Sequence, residues 1–219
     1  EKEIIEKVMF GYATPAAQIP DPPTTGYAED IERLPYDPER AKELLAEAGY
    51  PDGFEVTLHV MPVSRPYMFD PPQIGEAIQS YLAAVGITVN FYQVDWGTYL
   101  QETESGMHQM CLLGWTGDNG DPDNFMNVLY GLNAASIGTA GNYAFYTSKT
   151  NQELLTQALR TYDINQRAAY YEKAQELIHE EAGWVYLAHA NQNIVFRNNV
   201  VGYNLHPTSR KFFYPVDIQ

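Results

Sequence analysis

Apolar residues recur along this chain with two alternating periods, and the switches between them mark out a framework of strands and helices. Asp37 and Pro38 stand where a cap and a first helical residue belong; Ala41, Leu44, Leu45 and Ala48 follow as one stripe, and Gly49 ends the helix. Phe54, Val56, Leu58 and Val60 then alternate with Glu55, Thr57 and His59, the period of a strand with one buried face. After Pro71 and Pro72 the helical period returns. Ile74, Ala77, Ile78, Tyr81, Leu82 and Val85 share a face, and Gly86 stops it before the alternating strand Ile87, Val89 and Phe91. Asp95 caps a short helix through Tyr99 and Leu100, and Met110–Trp115 is a compact apolar run suited to a central strand. Asp121-Pro122 opens another helix, and residues 151–162 and 165–182 read as two more. Trp184–Ala190 and Asn193–Phe196 read as a hairpin or crossing strands, and the tail from Gly202 has no strong period. Residues 13–36, with Pro15, Pro20, Pro22, Pro23 and Pro35, read as an extended surface connection.

Three strands alternating with helices imply an α/β fold with a mostly parallel sheet. In such sheets ligands bind outside the carboxyl ends of the strands, so the loop after Trp115 is the first place to look. If Asp121 caps the helix at Pro122, Asp118 is left free beside Trp115, where a carboxylate suits a cation. Spacing leaves open whether Asp118 faces the crevice or accepts backbone hydrogen bonds in its own turn.

Composition narrows the partners. The 219 residues are 45% hydrophobic and 19% charged, as in an ordinary globular protein, with 17 Tyr and 3 Trp for amphipathic contacts. Thirteen basic against 28 acidic residues leave a formal charge of −15, which repels nucleic acid and anionic lipid. Cys111, the sole cysteine, lies within the apolar run and reads as a buried structural thiol; no intrachain disulfide or thiolate zinc cluster is possible. The N-terminus Glu1-Lys2-Glu3 has neither an initiator Met nor a signal pattern, so preceding sequence is expected.

The five histidines never fall at a metal-binding spacing on one helix face, and no nucleophile elbow, Walker loop or dinucleotide fingerprint occurs. The string Asp118–Asp123 is no EF-hand, because Gly120 and Pro122 occupy positions that calcium ligation does not tolerate. No cofactor and no metal are expected. A hydrolase using Asp118, Asp121 and Asp123 is the rival from another class, lacking a signed nucleophile or metal. A scaffold domain without a small ligand is a third.

The segment Gly114-Trp115-Thr116-Gly117-Asp118-Asn119-Gly120-Asp121-Pro122-Asp123-Asn124-Phe125 closely resembles a motif of the bacterial dipeptide-binding proteins of ABC peptide importers. The likeness continues through Tyr36-Asp37-Pro38, Ser64-Arg65-Pro66-Tyr67 and Asp95-Trp96-Gly97, and covers nearly the whole chain. It implies a non-enzymatic, periplasmic-binding-protein-like lobe, the second of two that close over a ligand. Residues 1–188 are then lobe two, residues 189–219 a crossover and tail returning toward a missing N-terminal lobe. It further implies a periplasmic location, or an extracellular lipid-anchored one in a Gram-positive source, and membrane permease subunits as partners.

Carried over by position, the resemblance makes Asp118 the acceptor of a peptide's α-ammonium and Arg65 the partner of its carboxylate. Trp115, Trp96, Tyr67 and Gly117 are the surrounding ligand-binding residues. For Arg65 a surface salt bridge is the competing reading; for Trp96, core packing. Some relatives carry a disulfide after the acidic motif, which Leu129–Tyr146 lacks. Other members carry oligopeptides, nickel complexes or other solutes, and the Arg65 match tilts the reading to dipeptides.

Overall fold

A computed structural model describes residues 2–219. A π-helical turn at Ile4–Val8 precedes β1 (Ala13–Pro15), α1 (Pro38–Glu47), β2 (Phe54–His59), α2 (Pro71–Ala83), β3 (Ile87–Tyr92), α3 (Trp96–Glu104) and β4 (Met110–Cys111). There follow α4 (Asp123–Tyr130), α5 (Lys149–Arg160), α6 (Ile164–Glu180), β5 (Ala188–Ala190), β6 (Val200–Val201) and β7 (Asp217–Ile218). The local signals act as expected at helix starts. The Asp37 carboxylate accepts from the Arg40 backbone N–H, three residues on, with Pro38 at the first helical position, and Asp70, which the sequence reading did not single out, holds the Gln73 N–H at the start of α2 in the same way. Asp95 accepts from both Gly97 and Thr98, which fixes where Trp96 begins α3.

The main sheet has the order β3-β2-β4, with both pairings parallel; Phe54 to His59 run beside Ile87 to Tyr92, and Leu58 and His59 beside Met110 and Cys111. Strand β2 is therefore central. The run Met110–Trp115 was expected there instead, yet only two of its residues are in strand. Its apolar character has another cause: Cys111 and Leu113 pack against both hydrophobic clusters of the protein. One cluster is built from the sheet, α2 and the N-terminal turn, the other from α4, α5 and α6.

The alternation expected of β2 holds where Val56 and Leu58 are buried and Glu55 is exposed, but not at its ends: Phe54 is exposed, and His59 is 5% exposed because it lies against Tyr99 and Glu102 of α3. The buried Tyr99 hydroxyl donates to the carbonyls of Leu112 (2.6 Å) and His59 (3.2 Å), clamping β2 to the chain after β4.

Two further expectations fail for long-range reasons. Trp184–Ala190 and Asn193–Phe196 form no hairpin; β5 pairs antiparallel with β1, joining Ala13 to Ala190 and Pro15 to Ala188. The proline-rich stretch is not a surface connection throughout either. Ala16, Ala17, Gln18 and Ala28 are buried, and the Gln18 amide both donates to and accepts from the Ala28 backbone. The apolar stripe of α1, conversely, contains no buried residue.

Candidate functional site

The three loops leaving the carboxyl ends of β2, β3 and β4 carry all six side chains or backbones named from the sequence. After β2 the chain makes a tight reversal in which Arg65 and Met68 exchange both backbone hydrogen bonds at 2.9 Å. Met68 is buried beneath it and plugs the loop into the core. Arg65 is thereby projected outward, and its guanidinium carbon lies 4.3 Å from the centroid of the Trp96 ring. Trp96 in turn stacks on Tyr99 at 5.5 Å and 11°. The core-packing reading of Trp96 holds for one face of the ring, against Tyr99, while the other face carries the Arg65 guanidinium. Among the described residues no carboxylate pairs with Arg65, so the surface salt-bridge reading is set aside.

Tyr67, on the same reversal, lies flat on the chain after β4. A Cβ on Gly114 would stand 2.4 Å from the Tyr67 ring, so only glycine permits this approach. Burial raises the Tyr67 hydroxyl above its ordinary pKa while the nearby Arg65 charge opposes the shift, which keeps it a neutral hydrogen-bonding group. Gly117 has a comparable packing role, since a Cβ there would meet the Phe125 ring at 2.7 Å.

Asp118 is exposed on the loop between β4 and α4. The Asn124 amide holds it, with Nδ2 donating to Asp118 Oδ2 at 3.2 Å and Oδ1 accepting from the Asp118 backbone at 2.9 Å and from the Trp115 indole at 3.0 Å. Arg65, Tyr67 and Trp96 thus form one group, and Trp115, Gly117 and Asp118 a second, with Tyr67 against Gly114 as the seam. Sequence reasoning assigned no role to Asn124; its signal was an amide six residues after the acid, inside the motif.

Asp121 is not the cap expected of it: α4 begins at Asp123 with Pro122 at the cap position, and the Asp121 carboxylate accepts from the Asp123 N–H at 2.9 Å in the turn just before it. It does more than that. Arg167 of α6 grips the same carboxylate through two 2.7 Å hydrogen bonds and rests against the Tyr171 ring. That guanidinium holds the Asp121 carboxyl below the usual carboxylate range, against an opposing effect of burial. A carboxylate so committed is a poor general base, and Asp123 accepts from the Asn127 amide, so the hydrolase reading loses two of its three acids.

The Asp121 and Arg167 side chains remain 35% and 23% exposed, between a surface pair and a buried one. Arg167→Ala is expected to cost about 1–2 kcal/mol of stability, more than an exposed pair and less than a buried one. Because the folded pKa of Asp121 is depressed, this contribution is complete above about pH 5 and is lost as pH falls through the folded value. The gap between thermal melts of the two proteins should narrow as pH falls from 7 into the acid range, leaving the part due to packing on Tyr171; a gap independent of pH refutes the assignment.

Two depressions lie away from these six residues. One of about 400 Å³ is lined by Pro15, Ala17, Tyr27, Ile31, Glu32 and Arg33, and one of about 250 Å³ by Thr57, His59, Tyr92, Glu102, Met107 and Gln109. In the second, burial lowers the His59 pKa although Glu102 stands 3.6 Å away, and no cluster of three or more His, Cys, Asp or Glu among the described residues is arranged to hold a metal. Position at the strand ends outweighs depression size here, because an open face closed by a second surface shows no cavity until it closes.

A three-stranded parallel sheet flanked by helices, with aromatic and charged side chains on its carboxyl-end loops, is the layout of a lobe of a periplasmic binding protein. Comparison with known proteins agrees. Residues 1–136 match the bacterial extracellular solute-binding proteins, family 5 Middle, and the chain belongs to this family of non-enzymatic solute-binding proteins. It is 38% identical over 216 residues to the dipeptide-binding protein of Escherichia coli (strain K12), covering 99% of this chain and 40% of that one. It is 37% identical over 219 residues to heme-binding protein A of Haemophilus influenzae, covering 100% of this chain and 39% of that one. Among solved structures, the ABC transporter-associated periplasmic binding protein DppA from Helicobacter pylori in complex with peptide STSA superposes with a TM-score of 0.87 at 35% identity, over 99% of this chain and 41% of that one. The chain thus spans about two-fifths of the length of these relatives. Among the described residues no helix is long and apolar enough to cross a membrane.

Proposed function

We propose that this chain is the second lobe of an extracytoplasmic solute-binding protein that captures short peptides, dipeptides foremost, for an ABC importer. Asp118 receives the peptide's α-ammonium, Arg65 its carboxylate, and Trp115, Trp96 and Tyr67 wall the side-chain pockets. The observation that carries this reading is the presence, on neighbouring loops at one end of a parallel sheet, of a carboxylate and a guanidinium with no ionic partner among the described residues and aromatic rings beside them. A zwitterionic ligand neutralises both. The guanidinium stacked on Trp96 is a fork held ready for a carboxylate, at little cost in side-chain entropy. On the same reading residues 1–188 form the lobe, residues 189–219 return toward the N-terminal lobe, and the permease subunits of the importer are the membrane partners. A periplasmic location, or lipid anchoring outside a Gram-positive cell, goes with that role.

Arg65 provides the test. Two extended residues span about 7 Å at most, so anchors at both termini act as a ruler. Amidating the C-terminus of a dipeptide should weaken binding to the full-length protein by about tenfold or more, and Arg65→Ala should erase the difference between acid and amide. Equal affinity of acid and amide for the unmutated protein would remove Arg65 from the site. The Helicobacter pylori relative carries the longer peptide STSA, so a length series in the same assay decides whether the ruler stops at two residues.

A further inference from the structure

The loop after β4 is organised around one amide. Asn124, in the first turn of α4, accepts on Oδ1 from the Trp115 indole (3.0 Å) and from the Asp118 backbone N–H (2.9 Å), and donates from Nδ2 to Asp118 Oδ2 (3.2 Å). The orientation of the amide follows from its partners. An indole N–H and a backbone N–H can only donate, so the atom between them must be the oxygen, and the NH₂ is left facing the carboxylate. The turn leading into α4 is tied to α6 by the Asp121–Arg167 pair, and Asp121 in turn holds the N–H of Asp123, the residue before Asn124, so the amide stands on an anchored base.

We infer that Asn124 is the positioning residue of the ammonium site: it sets the direction in which the Asp118 carboxylate points and ties that direction to the Trp115 wall. The inference rests on the peptide-binding reading above. Asp118 is exposed on a loop containing Asn119 and Gly120, and without a partner its carboxylate would sample several rotamers. Holding Oδ2 by the amide selects one of them before a ligand arrives and leaves Oδ1 to receive the ammonium. Ordering done in advance is not charged against binding. No other residue type serves all three contacts. Asp lacks the donor, Leu lacks both functions, and Gln carries its amide one methylene too far.

The test uses calorimetry on the full-length protein with two probes, methionyl-leucine and its N-acetyl derivative, which has no ammonium. Asn124→Ala should weaken methionyl-leucine about tenfold or more, the effect of losing a hydrogen bond to a charged group, and weaken the N-acetyl peptide, which meets only the loosened Trp115 wall, by clearly less. Asn124→Asp is the second variant, because it retains both contacts on Oδ1 and hence the loop. At neutral pH it replaces the donor by a second oxygen facing Asp118 and turns the carboxylate away. It too should bind methionyl-leucine more weakly, whereas simple attraction by the added charge predicts tighter binding. Equal weakening of both probes, or tighter binding by Asn124→Asp, overturns the inference. If Asp118→Ala loses affinity and neither Asn124 variant does, the inference fails and the ammonium site stands. If none of the three loses affinity, both fail.

Discussion

Asp118→Ala in the full-length protein is expected to weaken dipeptide binding by at least about a hundredfold, the consequence of leaving an ammonium without its counter-ion at a cost of roughly 3–5 kcal/mol. On the lobe alone Asp118 is exposed and, among the described residues, its side chain and backbone N–H are held by the Asn124 amide. A facing surface that closes over it removes water from the carboxylate and the ligand's ammonium together, and their attraction grows as the local dielectric falls. Truncation to Ala then strands a desolvated cation. The neutral Asp118→Asn keeps the shape but not the charge, and should lose nearly as much. Calorimetric titration with a free dipeptide measures both variants, and near-unmutated affinity in Asp118→Ala refutes the assignment. Thermal melts without ligand should show the variant as stable as its parent, since an exposed loop carboxylate contributes little to the fold.

The parts of this structure that were legible in the sequence are those decided within a few residues. Asp37-Pro38 and Asp95 each place a cap beside the helix they start, and both helices begin there. The alternation of Val56, Leu58 and Val89 fixes the core-facing side of two strands in the same local way. What failed depends on distant partners. The burial of His59 is set by Tyr99 and Glu102 on α3, and the partner of β5 is β1, at the other end of the chain. The apolar run at Met110–Leu113 reads as a central strand because burial and strand pairing leave the same hydrophobic signature. Here burial between two clusters dominates. At the site, Trp115 and Asp118 were reachable from topology alone, as the residues following a parallel strand. Arg65 was not, because nothing near it in sequence reveals that its guanidinium will lie over Trp96, and it entered through the family likeness. Arg167 had no local signal at all, standing 46 residues from the Asp121 it holds.

The 219 residues alone are expected to bind a dipeptide far more weakly than the full-length protein, by three orders of magnitude or about 4 kcal/mol. The chain spans 40% of the length of its Escherichia coli relative, and on the two-lobe reading the remainder supplies the surface that closes over the ligand. With one lobe, Asp118 and the Arg65 guanidinium meet the ligand in contact with water. Exposed ion pairs are worth only about 0–1 kcal/mol each, too little to offset the freedom a small peptide loses on binding. The lobe's own fold should survive isolation, because its two clusters are formed within residues 4–190. The segment after β5 should behave differently. Val195, Phe196, Phe213 and Tyr214 are half to fully exposed there, and the β6–β7 pair joins only two residues on each strand. Hydrogen exchange should find this tail unprotected in the fragment and protected in the full-length protein. Titrating one dipeptide into both proteins completes the test, and micromolar binding by the fragment would show that a single lobe suffices and that closure adds nothing to the ionic contacts.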